Sequence, residues 1–363
     1  MTENISLRIT TSPHLHHSDS TAKIMWNVAA ALVPAAMWGV YVFGLYAGLV
    51  LIASIAASVG AEYVLNRVLK RSTIQDGSAF ITGLLIGMNM PPEVPIGIPV
   101  VASLFAIIVV KWTFGGLGRN WMNPALAGRV FVFFSWTGAM SSWKTPETNI
   151  LDGLSGATPL GAMKTALLDA PEGIRGPMEL LKSVGYNPSF IDVRLSAILR
   201  SIGFPVNDGY FDFLLGNIGG CIGEVSGILI ILGGLYLLIR KYANWQIVVS
   251  YFLSFVFFIG VFGGMPFTGK LFQGDIFFHI FSGGFLLGLF FMATDMVSSP
   301  ITAKGMFIYG AGIGFLTFLI RVYGSFPEGV SLAILLMNIG TSFIDRMTQP
   351  RIFGTGKNAE VAG

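Results

Sequence analysis

From Trp26 to Phe43 the chain reads WNVAAALVPAAMWGVYVF without a charged side chain, and comparable runs recur along its length. A helix needs about 20 mostly apolar residues to cross the hydrocarbon core of a bilayer. By that requirement ten segments read as spans: 26–44, 46–66, 78–91, 95–113, 121–139, 212–239, 245–264, 275–293, 304–323 and 328–345. The expected fold class is an all-α polytopic membrane protein with about ten transmembrane helices. Two segments depart from a plain span. The third is short and stops at PPEVP (Pro91–Pro95), and the sixth is long and contains GNIGGCIGE (Gly216–Glu224). Both read as broken helices, which a membrane tolerates only where protein or a cavity covers the loose backbone.

Composition supports this reading. Charged residues are 11% of the 363, against about a quarter in soluble domains, and mean hydropathy is +0.70. With a net charge of +3 and no basic stripe, nucleic-acid binding is not expected. The single cysteine, Cys221, excludes an intrachain disulfide and a four-thiolate iron–sulfur site made by this chain alone. The polar start MTENISLRITTSPHLHHSDSTAK does not resemble a cleavable signal peptide, so the first spans are expected to insert as uncleaved anchors. Its HLHH (His14, His16, His17) has no further ligand nearby; it reads as a solvated tail, and no metal site is expected.

Orientation follows from the Lys/Arg bias of short loops. With the N-terminus in the cytoplasm, thirteen Lys/Arg fall on the inner side (Arg8, Lys23, Arg67, Lys70, Arg71, Lys111, Arg119, Arg240, Lys241, Lys304, Arg346, Arg351, Lys357) and only Lys270 and Arg321 at short outer loops. The expected organisation is a cytoplasmic tail (1–24), a first five-helix repeat (25–139), an extracytoplasmic loop region (140–210), a second five-helix repeat (211–346) and a cytoplasmic tail (347–363). The halves echo each other: FITGLLIGMNMPP (Phe80–Pro92) answers FLLGLFFMATDMVSSP (Phe285–Pro300), and WGVYVF (Trp38–Phe43) answers GGLYLL (Gly233–Leu238). An odd number of spans per half makes the repeats inverted, an arrangement that places sites near the midplane of the membrane.

Polar groups inside spans are costly and face the interior or a pathway. Glu224, in the glycine-rich break, is the candidate to help bind a cation or an organic cofactor; its plainer role is to accept hydrogen bonds from freed backbone N–H groups. Asp76 and Asp295 read as capping or solvated groups at cytoplasmic span ends. Asn123 and Arg129 open the fifth span, with Arg129 expected to snorkel to the inner interface or to bind the oxygens of a cofactor. Asn89, Asn217 and Asn338 read as glue between helices, and His279 and Cys221 as packing residues.

One stretch is unlike the rest. DGLSGATPLGA (Asp152–Ala162) is small, polar and turn-rich, with a threonine directly before a proline. Pro159 disfavours the helical region for Thr158, and Gly153 and Gly156 let the chain turn tightly. An accessible Thr158 hydroxyl at the outer surface is expected, either in an ordinary loop turn or as a modification site.

DGLSGATPL resembles the flavinylation motif Asp-x-x-Ser/Thr-Gly-Ala-Thr of Rnf-complex D subunits and of B subunits of sodium-translocating NADH:quinone oxidoreductases. DGSAFITGLL (Asp76–Leu85), FGGLGRNWMNPALAGR (Phe114–Arg129), GNIGGCIGEVS (Gly216–Ser226), ATDMVSSPITAKG (Ala293–Gly305) and PEGVSLAILLMN (Pro327–Asn338) match as well, so the resemblance spans most of the chain. Length and the short N-terminal tail are closer to the Rnf type. The resemblance implies an FMN joined through its phosphate to Thr158 by a separate flavin transferase. Asp152, Ser155, Gly156 and Ala157 would then serve recognition or local geometry. It also implies a non-covalent riboflavin, for which the two broken helices are the candidate places.

The implied function is that of a membrane subunit in an ion-translocating electron-transport complex of the ferredoxin:NAD oxidoreductase type. It would sit in a bacterial inner membrane with the A, B, C, E and G subunits as partners and hold no complete active site, and hence no catalytic residue, of its own. The GxG pieces of the chain lie in loops or spans and not in a strand–turn–helix unit, so no NADH fingerprint is present. The alternatives are a quinone-reductase B-type subunit and a cofactor-free transporter or channel for a small solute.

Overall fold

The computed structural model describes residues 19–143, 158–168, 176–203, 207–324, 326 and 328–350. All regular structure among them is helical. In the first half α1 (Thr21–Phe43) starts at Ser20, whose hydroxyl accepts the Lys23 amide at 3.2 Å. It ends at Gly44, a residue at φ +90° from which α2 (Leu45–Leu69) starts directly. There follow α3 (Ser78–Met88), α4 (Gly97–Trp112), α5 (Pro124–Ser135) and the short α6 (Thr137–Met140).

The expected extracytoplasmic segment is more than a loop, because its described residues form α7 (Pro159–Leu168), α8 (Pro177–Ser183) and α9 (Phe190–Ser201). The second half holds α10 (Tyr210–Leu215), α11 (Gly227–Ile239), α12 (Trp245–Phe262), the short α13 (Met265–Thr268), α14 (Ile276–Phe281), α15 (Phe285–Met292), α16 (Ala303–Val322) and α17 (Val330–Thr348). Among the described residues five helices have the length and apolarity to cross a membrane, and four shorter apolar helices accompany them. The chain is a multi-pass membrane protein.

The expected breaks are present, and they satisfy each other. After α3 the chain leaves its helix at Asn89, and prolines 91, 92 and 95 deny it N–H groups to resume at once. The carbonyls of Met88 and Met90 instead accept the amides of Gly223 at 2.7 Å and Ile222 at 3.1 Å, from the break between α10 and α11. So close an approach needs glycine: a Cβ on Gly223 would lie 2.6 Å from that of Met88. A third break was not expected. The eighth span, read as continuous over 275–293, is interrupted at Ser282–Gly284, where Ser282 adopts ψ +139°. Past it, α15 widens so that the Ala293 amide bonds the Gly288 carbonyl five residues back, at 2.8 Å.

The element order of the first half recurs in the second. Helix α2 packs on α4 as α12 packs on α16, and α4 packs on α5 as α16 packs on α17. The two segments that echo each other, in α1 and α11, belong to helices in mutual contact; a Cβ on Gly233 would come 2.6 Å from the Ala31 carbonyl oxygen. Gly310 and Gly314, spaced as in a small-residue packing motif, bring α16 against the backbone of α12.

Within the first half, Lys111 and Glu62 are buried together. The Lys111 ammonium donates to Glu62 at 2.8 Å and to the Ser78 hydroxyl at 2.7 Å, and the Trp112 indole donates to the same carboxylate at 3.0 Å. Removing one partner strands the other charge, which typically costs about 3–5 kcal/mol. Lys111→Met alone should therefore lower the melting temperature in detergent much further than Glu62→Gln/Lys111→Met together; equal losses would show that the pair is not a unit.

Candidate functional site

The three breaks converge on Glu224. Its side chain is 6% exposed. One carboxylate oxygen accepts the Cys221 amide at 3.3 Å, and the other, Oε1, has no partner. A Cβ on Gly284, in the third break, would meet Oε1 at 2.7 Å. The capping role expected of Glu224 is thus half fulfilled. The thiol of Cys221 donates to the Asn89 carbonyl at 3.4 Å and so ties the first break to the second.

Arg129 does not snorkel, because it is buried and its charge is matched inside the protein. From α5 the guanidinium donates to Glu328 and to the Ser331 hydroxyl, and reaches the Cys221 sulfur at 3.5 Å. Glu328 comes two residues before α17, and its Oε1 is also unpartnered. One ligand atom each from Cys221, Glu224 and Glu328 falls within 4.8 Å of the others.

On the far side of the third break lies Arg321, in the last turn of α16 and fully buried. Its Nη1 donates to the His279 carbonyl, and its guanidinium carbon lies 5.5 Å from the Phe255 ring and 5.9 Å from Phe285. Nε and Nη2 have no partner; neither do the Ser282 hydroxyl and His279 Nδ1. His279 is a buried packing residue in its ring contact with Phe278, as expected, although its carbonyl does more than its ring.

Thr158 precedes α7, whose Leu160 packs beside Gly283 of this layer, and here the structure corrects the sequence. The residue is 2% exposed, not displayed. Its hydroxyl accepts the Gly161 amide at 3.1 Å and its carbonyl the Ala162 amide at 2.7 Å, so it is the N-cap of α7. Leu160 and Met163 then anchor α7 among Met178, Phe213 and Phe278. Lys164 closes the arrangement by donating to the carbonyls of Ile320 at 3.2 Å, Gly324 at 2.6 Å and Phe326 at 2.7 Å, the exposed end of α16. Asp152, Ser155, Gly156 and Ala157 lie outside the described residues.

A second recess opens where α1, α3, α5 and α11 meet, lined by Ser78, Thr82, Lys111, Asn120, Asn123 and Asp295 among apolar neighbours. Asn120 Oδ1 is buried there without a partner. Asn123 caps α5 through the amides of Ala125 and Leu126 and donates to the Met292 carbonyl at 3.3 Å. Asp76 and Asp295 act as turn caps, on Ser78 and on Val297 and Ser298. Asn89 and Asn338 join helices as expected, through the Met292 sulfur and the Tyr309 hydroxyl.

Lys111 and Arg321, read from sequence as loop charges that set the orientation, are instead buried inside helices, and Glu62 and Glu328 were not singled out, although each is a charge in or beside an apolar run, which is the usual signal. Asp192 was also missed: its carboxylate accepts the amides of Gly209, Phe211 and Asp212 and so fastens α9 to α10. Burial pushes its carboxyl above the ordinary range.

Together these features define a polytopic membrane protein with a polar core built where interrupted helices meet. The chain belongs to the NQR2, RnfD, RnfE family, whose model matches residues 8–354. It is 42% identical over 348 residues, 96% of each chain, to the D subunit of a proton-translocating ferredoxin:NAD(+) oxidoreductase complex of Clostridium ljungdahlii. Identity is 40%, over 97% of each chain, to the D subunit of the Na(+)-translocating counterpart of Acetobacterium woodii, and 35%, over 92% of each, to the D subunit of an ion-translocating oxidoreductase complex of Stutzerimonas stutzeri.

Partial burial, and secondarily the nearby Arg321, push the Lys164 ammonium down to about 8. A free lysine titrates near about 10.4, so between these values the unfolded chain binds more protons and stability rises with pH. Melting temperature in detergent, followed from about pH 7.5 to about pH 10, should climb more steeply for the wild type than for Lys164→Gln. Parallel curves would remove this role from Lys164.

Proposed function

We propose that the chain is a membrane subunit of a multisubunit, redox-driven ion translocase of the ferredoxin:NAD oxidoreductase type. In this reading it carries electrons through an FMN held by a phosphoester on Thr158. The identities of its relatives support the first part. The second rests on one observation: the Thr158 hydroxyl occupies the N-terminus of α7.

An ester phosphate at this oxygen would sit at the positive end of a ten-residue helix, where backbone N–H groups favour an anion. Pro159, at the first helical position, loses nothing by lacking an N–H. The helix end therefore fits the phosphate of the group. FMN supplies one- and two-electron chemistry when bound. The chain's own part is to hold the attachment point against the core through Leu160 and Met163 and to keep water from it. A tether also keeps the ring at high effective concentration on the outer side of the membrane, where dilution would remove a free flavin.

Because the Thr158 hydroxyl is buried, transfer by a separate flavin transferase has to precede the docking of α7 or to open it. The recess beside Asn120 is the candidate place for a non-covalent riboflavin: its unpartnered amide oxygen and apolar walls offer partners to one edge of a flavin ring, and its accessible volume of about 100 Å³ has to open to take the whole of it. The membrane is a bacterial inner membrane with both termini in the cytoplasm, and the partners are the A, B, C, E and G subunits of such a complex.

The chain produced with a flavin transferase should give a flavin-fluorescent band that survives denaturing electrophoresis, and its intact mass should rise by one FMN less a water. Thr158→Ala should abolish both. A bare Thr158 peptide from native membranes would defeat the reading.

A further inference from the structure

Helix α9 is built inside out. Its inward face is polar: the Asp192 carboxylate accepts three amides at the start of α10, and Ser196, one turn on, is buried as well. Ser189, the N-cap of α9, donates through its amide, at 2.7 Å, and through its hydroxyl to the Asp212 carboxylate, which also accepts the Tyr186 hydroxyl. The outward face is apolar. Ile191, Leu195, Ile198 and Ile202 fall at alternating steps of four and three residues and so make one stripe along the helix. The three isoleucines are exposed, and so is Phe190 beside them. Among the described helices α9 packs mainly on α10. A polar clasp thus fixes the helix with its aliphatic row turned away from the protein.

Water is the unfavourable neighbour for such a row, and position, charge and size together say what covers it. The clasp holds α9 where α10 begins. Tyr210, the first residue of α10, donates to Asp275, the N-cap of α14, and its ring centre lies 6.0 Å from that of Phe277. Phe277 is 63% exposed on an apolar segment of the eighth span and so belongs to the surface turned to lipid. Helix α9 therefore lies at the rim of that surface. Its acid, Asp192, is spent inward, while Arg194 is exposed over the Phe190 ring at 4.3 Å and forms no ion pair with a described residue. A helix of 12 residues is about 18 Å long and about 10 Å across, a footprint of roughly 200 Å². A stable protein–protein interface takes about 800 Å² per partner. A bilayer surface sets no such minimum, and an aliphatic face with arginine alongside is what its headgroup boundary takes up.

We propose that α9 lies in the plane of the membrane surface, with the Ile191–Ile202 stripe at the acyl boundary and Arg194 on a phospholipid phosphate. It is then an anchor for the helices around it. Through Asp192 and the Ser189–Asp212 contact it holds the start of α10, and Phe213 of α10 shares one apolar cluster with Leu160 and Met163 of α7. Lipid contact at α9 thereby steadies the seat of α7. The anchor is independent of any group on Thr158.

Nitroxide labels on the full chain in phospholipid vesicles test this, at Ile191→Cys, Ile198→Cys and Ile202→Cys, the native Cys221 being buried. All three labels should collide more with oxygen, which concentrates in lipid, than with a water-soluble nickel chelate, and should still do so in membranes that contain the partner subunits. Labels open to the chelate would overturn the anchor. So would labels shielded from both reagents once the partners are present, which would give the stripe to a neighbouring subunit. Ile198→Asp should keep the melting temperature of the wild type in detergent, yet in vesicles it should speed protease cleavage between α8 and α10 severalfold; an unchanged rate would count against lipid contact. Replacing zwitterionic by anionic phospholipid should raise the melting temperature of the wild type more than that of Arg194→Gln, and equal rises would refute the phosphate contact.

Discussion

The architecture depends on two interrupted helices completing each other's backbone. A carbonyl freed inside the hydrocarbon region costs several kcal/mol unless something donates to it. Met88 and Met90 find their donors in Gly223 and Ile222, more than a hundred residues away, and the Cys221 thiol covers the Asn89 carbonyl between them. Neither break is acceptable without the other. The pairing therefore fixes how the two halves meet, and it carries Glu224 to the centre of the molecule with a polar backbone already in place around it.

That placement explains why charge is concentrated where it is. Arg129 comes from α5, Glu328 and Ser331 from the start of α17, and Glu224 from the second break. Each charge would be prohibitive alone in lipid. Assembled, they are partly matched, and the part left unmatched faces the third break and Arg321. The Glu62–Lys111 pair shows the contrast. It is as deeply buried, but Ser78, Thr73 and Trp112 complete its hydrogen bonds, so it reads as structure. Incomplete pairing, more than burial, distinguishes the central layer.

Much of this was legible in the sequence. Helices α1, α2, α12, α16 and α17 follow hydropathy within a few residues, because a helix long enough to cross lipid has to be apolar throughout. The first two breaks were legible from chain chemistry: three prolines in one, a run of glycines in the other. The third was not. Ser282, Gly283 and Gly284 lie between FFHIF and FLLGLFF, so hydropathy averaged over a window passes over them. Glu224 stood out as a carboxylate in an apolar glycine-rich run, whereas Arg129 was misread because its partner is 199 residues distant and no local pattern announces it. Thr158 was singled out by its motif and misplaced in exposure for the same reason. Its burial comes from the fit of α7 against Phe213 and Phe278, which are elements of the other half.

Helix α7 and the central layer share one helix end. The last turn of α16 supplies Arg321 to the layer below, while its free carbonyls accept the Lys164 ammonium from α7. Helix C-termini attract cations, and this one holds two, one on each side. Any shift of α7 therefore moves the end of α16, and with it the guanidinium that faces Gly283. That linkage runs through two side chains, Lys164 from α7 and Arg321 from α16, that meet the two sides of one helix end.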